Sequence, residues 1–319
     1  MEDIHTVNRC LEAADNDLTQ KFGHPELPVV AIAGIPRSGK TFIQQYIISV
    51  SDIGYISNVQ GKFYLAPYLG SLIEKELLHE GYTSNHSYFH GITTGVHEPN
   101  EWGWFWQKWL NVSHENCYIE DPSRVDFKGL AEKFAAMENA KGKPVMFQNI
   151  MATINLKYLK QCFPNLVVVY MKRDPVFQLN SHIRGKLEAR RNEQVRQKKA
   201  NFGAMIDFRP KGFENFNSSG FVEDAAISIK LLTEEIETTL DTCFDPAEVL
   251  RVDFDRAKSA PQAFMGKFIR LLKNKGYALT VRQDAFEELT SFPARNNPEY
   301  LLDEYIGEIR HLCEKYFTV

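Results

Sequence analysis

The run Gly34-Ile-Pro-Arg-Ser-Gly-Lys-Thr41 has the residue types and spacing of a phosphate cradle, G-x-x-x-x-G-K-[ST]. Glycines let a backbone curl around an anion without Cβ clashes, and successive N–H groups then point inward as a nest. A helix opening behind the loop adds roughly half a positive charge at its N-terminus. Arg37, Lys40 and the hydroxyls of Ser38 and Thr41 supply further donors, and Gly39 supplies backbone N–H. The bland alternative is a tight strand-to-helix turn that holds no ligand.

A second cluster follows much later. The apolar run 166–171 ends in Lys172-Arg-Asp-Pro175, and Ser181 stands eight residues after Arg173. The end of a strand in a parallel sheet is where ligands bind. There Arg173 can make a bidentate, charge-assisted contact to a phosphate, with Ser181 about two turns along the next helix. The competing reading is an Arg–Asp pair at a helix start, with Asp174 as the cap.

Proton acceptors are less sharply marked. His97, Glu98 and Glu101 lie in a stretch, 97–110, that holds all four tryptophans, with His86 and His90 before it. Charged groups among aromatics suggest a partly desolvated pocket where a carboxylate or imidazole is tuned toward neutral pH. The alternative is that the tryptophans are core and the glutamates a solvated helix start. Asp52 is a further candidate base. Residues 182–199 carry seven Lys or Arg against two Glu. They read as a rim that attracts an anion or as a solvated helix face, and they lack the interleaved aromatics of single-strand binders. Arg209-Pro-Lys-Gly212 and Arg295 are candidate extra phosphate contacts.

These groups need a scaffold. Residues 28–34 and 166–171 read as strands buried on both faces. Pro144–Phe147 and Glu248–Phe254 are weaker strands. Apolar spacing predicts helices over 41–50, 127–140, 156–163, 176–200, 225–242, 261–275 and 298–316, and a short helix or cap within 1–27. Residues 51–100 look loop-rich. The alternation argues a three-layer α/β/α fold with a central, mostly parallel sheet, taken as a single domain over 1–319.

Hydrophobic residues make 44% and charged residues 24% of the 319, which excludes wholesale disorder and coiled coil. The net charge of −4 argues against a general polyanion binder, so any anion site is local and no nucleic-acid partner is expected. No apolar run is long enough for a membrane helix. Five scattered cysteines without metal-ligand spacing fit reduced thiols in a cytoplasmic protein.

Together the two phosphate motifs resemble the sulfotransferase family. Pro36-Arg-Ser-Gly-Lys-Thr-Phe42 is similar to its 5′-phosphosulfate loop, P-[KR]-S-G-T-T-[LW]. Lys172–Ser181 is similar to its 3′-phosphate element, R-[DN]-P with a Ser at that spacing. Val249–Asp255 with the helix after Pro261, and Asn58 with Phe63, Pro67 and Gly70, carry weaker likenesses. The resemblance implies a P-loop nucleoside triphosphate hydrolase-like fold. It also implies transfer of a sulfuryl group from 3′-phosphoadenylyl sulfate (PAPS) to a hydroxyl or amine of a small-molecule acceptor, releasing 3′-phosphoadenosine 5′-phosphate (PAP). Arg37, Ser38, Gly39, Lys40 and Thr41 would hold the 5′-phosphosulfate, Arg173 and Ser181 the 3′-phosphate, and Phe42 would lie near the adenine. Arg37 or Lys40 would neutralise charge on the leaving oxygen, with no metal required. A homo-oligomer is allowed.

The chain also departs from the family pattern. Lys40 replaces the usual Thr and makes the loop match an ATP-binding P-loop. Gln148-Asn149-Ile150 stands where some members have Lys-Thr-His, so that histidine is replaced by Ile150. Asn58 falls where others have a Glu. Two other readings therefore stay open: a P-loop kinase for a small metabolite, which needs a magnesium-binding carboxylate at a strand end such as Asp174, and a non-catalytic nucleotide-binding member of the fold.

Overall fold

Val29–Ala33 (β1) alternates sides even though every residue is buried: Val29, Ala31 and Ala33 pack into one apolar layer, Val30 and Ile32 into the other. Leu166–Lys172 (β6) does the same, with Leu166, Val168 and Tyr170 on the first side and Val167, Val169 and Met171 on the second. A strand covered on both faces has no polar side to show, which is why both runs read as continuous apolar sequence. The molecule is a computed structural model that describes residues 2–77, 82–86, 88–89, 92–113, 115–191, 209–288 and 301–317.

The central sheet has five strands. With Gly54–Tyr55 (β2), Val145–Phe147 (β5) and Val249–Asp253 (β7), the order is β2-β5-β1-β6-β7. Every pairing is parallel. Tyr88–Phe89 (β3) and Ile92–Thr93 (β4) form a separate antiparallel pair. Helices cover both faces of the main sheet, as expected for an α/β/α arrangement.

Helix α1 is Glu2–Thr19, α2 Lys40–Val50, α3 Pro67–Leu77 and α4 Gly103–Leu110. Then come α5 (Phe127–Lys141), α6 (Ile150–Ile154), α7 (Leu156–Cys162) and α8 (Pro175–Arg191). Later helices span Phe221–Cys243, Phe254–Ser259, Pro261–Asn274, Gln283–Glu288 and Ile306–Phe317. α2, Phe254–Ser259 and Pro261–Asn274 share one apolar layer, while α4 to α8 and Phe221–Cys243 share the other. α1 is fastened by a buried ion pair: Lys133 Nζ of α5 lies 2.8 Å from Asp15, whose other oxygen accepts the Leu69 N–H of α3. No helix among the described residues is long and apolar enough to cross a membrane. None of the five cysteines is disulfide-bonded.

Several expectations need correction. The stretch 51–100 is not merely loop: it contains α3, hidden because Leu72, Ile73 and Leu77 stay partly exposed and Gly70 sits mid-helix against Phe63. A second unforeseen helix, α6, starts because Asn149 Oδ1 accepts the N–H groups of Met151 and Ala152. The last helix begins at Ile306 instead of 298. α8 is described only to Arg191, so the rest of the expected 176–200 helix lies outside the described residues, as do His90 and Arg295.

Candidate functional site

Parallel strands all end on the same edge, and three of them end in polar residues there. β1 runs into Gly34, β5 into Gln148 and β6 into Arg173. The loop 34–39 is built for a tight curl. Gly34 has φ +144° and Gly39 φ +93°, and a Cβ on Gly39 would fall 2.3 Å from the Phe254 ring. Arg37 is held at φ +72°, a conformation an L-residue keeps only when its surroundings enforce it. The enforcement is visible. Arg173 Nη1 donates to the Arg37 carbonyl (3.1 Å), Arg37 Nε donates to Ser181 Oγ (2.9 Å), and Gln178 Nε2 donates to the Pro36 carbonyl (3.1 Å). The two motifs, remote in sequence, are thus one structure.

Lys40 is 8% exposed and folds back on its own loop, donating to the carbonyls of Gly34 (2.7 Å) and Ile35 (3.0 Å). Burial lowers its pKa from 10.5 to about 8; the Glu101 carboxylate opposes that shift and Arg37 adds to it. Ser38 is 1% exposed, and its Oγ has no hydrogen-bond partner among the described residues. Thr41 Oγ1 accepts from Gln148 Nε2 (3.1 Å), whose own Oε1 is buried without a partner among the described residues. Buried polar atoms left this way cost free energy unless a water or ligand meets them.

Beside the loop is an aromatic shelf. Phe254 packs edge-on to Phe42 at 5.8 Å and lies 5.3 Å from the Arg173 guanidinium, and Phe42 also meets His86 at 5.8 Å. Asp174 is engaged elsewhere: its Oδ1 accepts the N–H groups of Val176 and Phe177, capping α8. That is the cap reading of Asp174.

The candidate bases separate. Glu101 is held by its backbone: its carbonyl accepts from Asn149 Nδ2 (2.9 Å), next to the Gln148 that touches Thr41, and the charge of its carboxylate raises the Lys40 pKa against burial. Glu98 is fully buried, with its oxygens taken by Gln45, Tyr82, Ser84 and the Asn85 N–H. His97 stacks on Tyr82 at 4.6 Å and its carbonyl accepts from Tyr55. Burial lowers the pKa of His86, with Glu98 pulling the other way. Asn58 is structural in setting, donating to Thr93 Oγ1 and the Gly95 carbonyl. Asp52 follows α2, precedes β2 and pairs with Lys143, which puts it at the opposite edge of the sheet.

Of the two readings of the tryptophans, the core one holds for Trp102 and Trp106, which are stacked with or against Phe105, Phe134 and Phe147 because α4 must bury an apolar face on the sheet. The glutamates nearby are no solvated helix start: α4 begins at Gly103, after both. Lys211 lies over Tyr118 and Arg209 over Phe213. Sequence reasoning missed Phe254, Gln178 and the Gln148–Asn149 pair as parts of this edge. Only the position of Gln148–Asn149 at a strand end signalled them.

A parallel α/β/α sheet with a tight glycine loop between its first strand and the next helix has a P-loop-like architecture. Within that class the chain has the fold of bacterial sulfotransferases. It matches the crystal structure of a sulfotransferase from Mycobacterium tuberculosis H37Rv with a TM-score of 0.53 over 92% of this chain and 77% of that one, at 13% identity. It matches a sulfotransferase from Mycobacterium avium with a TM-score of 0.53 over 98% of this chain and 80% of that one, at 11% identity. No protein-family model and no curated protein sequence matches the chain. The likeness is therefore one of fold, and the chemistry has to be argued from the residues.

Proposed function

We propose that the protein is a sulfotransferase that takes a sulfuryl group from PAPS and passes it to a hydroxyl or amine of a small-molecule acceptor. The observation that carries this reading is the union of the two anion motifs, Arg37 bonded to Ser181 and Arg173 bonded to Arg37. A loop for one phosphate needs no second cationic element fused to it. A nucleotide phosphorylated at both 3′ and 5′ positions does.

The residues fit such a ligand. The orphan Ser38 hydroxyl, Thr41 and Lys40 suit the 5′ end, and Arg173 with Ser181 suits the 3′-phosphate. Phe42 and Phe254, packed edge to face beside the loop, offer apolar ring contacts for a base. Bound there, the donor supplies an activated sulfuryl group. Lys40 and Arg37 neutralise negative charge on the leaving phosphate oxygen. Glu101 is the proton acceptor for the incoming hydroxyl or amine: its charge acts on Lys40, whereas both oxygens of Glu98 are already occupied. A magnesium-dependent kinase has less support, since the strand-end carboxylate it needs, Asp174, is spent on a helix cap.

Calorimetry separates the readings. PAP should bind without metal, and ATP with magnesium should bind weakly; the reverse pattern would promote the kinase. If PAP binds and PAPS is never turned over with any acceptor, the protein is a non-catalytic binder. Arg173→Ala should weaken PAP by about 10–100-fold, the value of a hydrogen bond to a charged group, with acceptor KM little changed. Unaltered PAP affinity would remove the 3′-phosphate assignment.

Binding should also depend on pH with a definite sign. Lys40 is neutral above about pH 8, and an anion favours its charged form. PAP affinity should be flat from pH 6.5 to 7.5 and then fall by up to about tenfold per pH unit above 8, as linkage requires. Titrations across that range check it.

A further inference from the structure

Glu98 is a carboxylate with no exposed surface, no cationic partner in hydrogen-bond reach among the described residues, and donors on every side. Gln45 Nε2 of α2 lies at 2.7 Å, Tyr82 Oη at 2.5 Å, Ser84 Oγ at 2.9 Å and the Asn85 N–H at 2.8 Å. Burying a carboxylate is costly even when it is fully hydrogen-bonded. A neutral apolar side chain would serve packing alone.

The segment that follows is tied at each residue. The His97 carbonyl accepts from Tyr55 Oη, the Glu98 carbonyl from the Asn58 N–H, and the Pro99 carbonyl from Thr93 Oγ1. The Asn100 N–H donates to the Ile56 carbonyl, and its side chain bonds Asn58 and the Trp102 N–H. The Glu101 carbonyl accepts from Asn149, and Trp102 is locked in the core at φ +57°. The Glu98 side chain is hydrogen-bonded to Gln45 of α2, the helix that begins with Lys40 and Thr41.

From this geometry we infer that Glu98 is a positioning residue: its clasp on Gln45, Tyr82, Ser84 and Asn85 fastens the 97–102 strap to the phosphate-loop helix and so fixes Glu101 beside Lys40. The inference rests on the reading of the loop as a PAP site, and it goes beyond that reading by assigning the alignment of base and loop to a residue that touches neither donor nor acceptor. Glu98→Gln tests it with little change of volume. The carboxamide offers one accepting oxygen where two oxygens now accept, so either Gln45 must turn its amide over or the new NH₂ is set against the Tyr82 and Asn85 donors.

The readout is the pH at which PAP affinity begins to fall, together with the unfolding midpoint. The groups acting on Lys40 are Glu101, which raises that pH, and Arg37, which lowers it. Those facing Glu98 are Tyr82, Ser84, Asn85 and Gln45, with His86 nearby. Glu101→Gln should move the break down by about 0.5 pH unit or more. Glu98→Gln should move it in the same direction by at least half as much, but it also deletes a negative charge. The paired change Tyr82→Phe with Ser84→Ala, which removes two donors and keeps the carboxylate, should therefore do likewise, and a break left unmoved by this pair would overturn the inference. A lower unfolding midpoint with the break unmoved would make the clasp purely structural and overturn the inference. A break moved by Glu98→Gln but not by Glu101→Gln would also overturn it, since Glu98 would then act on Lys40 directly. Failure of the wild-type protein to bind PAP at all would instead defeat the underlying reading, and the two failures look different.

Discussion

Lys40→Met should slow PAP formation from PAPS by about 10²–10³-fold, the usual effect of deleting one donor that stabilises developing negative charge. The magnitude follows from where the ammonium sits. It is nearly inaccessible to solvent and is bonded only to two carbonyls of its own loop. A bound anion competes for it in a low-dielectric setting, where charge–charge attraction is stronger than in water. Two effects on the fold oppose each other. A lysine whose pKa is pressed down to about 8 is being charged at a free-energy cost that methionine avoids, but methionine also leaves the Gly34 and Ile35 carbonyls without their Lys40 donor, at about 1–3 kcal/mol. The expected pattern is a large loss in single-turnover rate, weaker PAP binding that no longer changes above pH 8, and an unfolding midpoint only modestly below that of the wild type. A variant with wild-type turnover would show that Arg37 alone serves the leaving oxygen. A variant that fails to fold would show that Lys40 is holding the loop together.

The tight glycine loop after β1 and the Arg173 strand end were legible because both rest on local rules: glycines where φ is positive, and a cationic side chain at the end of a buried strand. The mostly parallel sheet was legible too, though not its strand order, since β1 and β6 are continuous apolar runs that a parallel sheet covers on both faces. What escaped was chemistry assembled from separate segments. Phe254 closes on Gly39 across more than two hundred residues of chain, and nothing in its neighbourhood marks it except a weak strand. Glu98 and Glu101, three residues apart, look alike in sequence. The structure makes one a buried anchor and the other a partner of the loop, because the strap turns sharply at Trp102. The tryptophans left two readings open for a related reason: aromatic density marks a core as readily as a pocket, and here Trp102 and Trp106 are spent on the sheet. α3 stayed hidden because a helix with exposed leucines and a central glycine has no clean apolar stripe.

Gly39→Ala should be strongly damaging. At φ +93° an alanine is strained wherever it stands, and here its Cβ would also lie 2.3 to 3.0 Å from three atoms of the Phe254 ring. Backbone strain and overpacking each cost about 1–3 kcal/mol, so a stability loss of about 2–6 kcal/mol is expected. The functional loss should exceed what instability explains. Phe254 cannot retreat without disturbing Phe42 on one side and the Arg173 guanidinium on the other, and Arg173 holds the Arg37 carbonyl. PAP affinity should therefore fall by more than about 100-fold, as both anion motifs lose their alignment. Adding Phe254→Ala removes the collision but not the strained backbone. The double variant should regain part of the stability relative to Gly39→Ala and little of the PAP affinity, because the shelf beneath Arg173 is then gone. Chemical denaturation and calorimetry on both variants measure the two effects separately. If Gly39→Ala alone bound PAP like the wild type, the curl of this loop would not be the phosphate cradle, whatever its sequence.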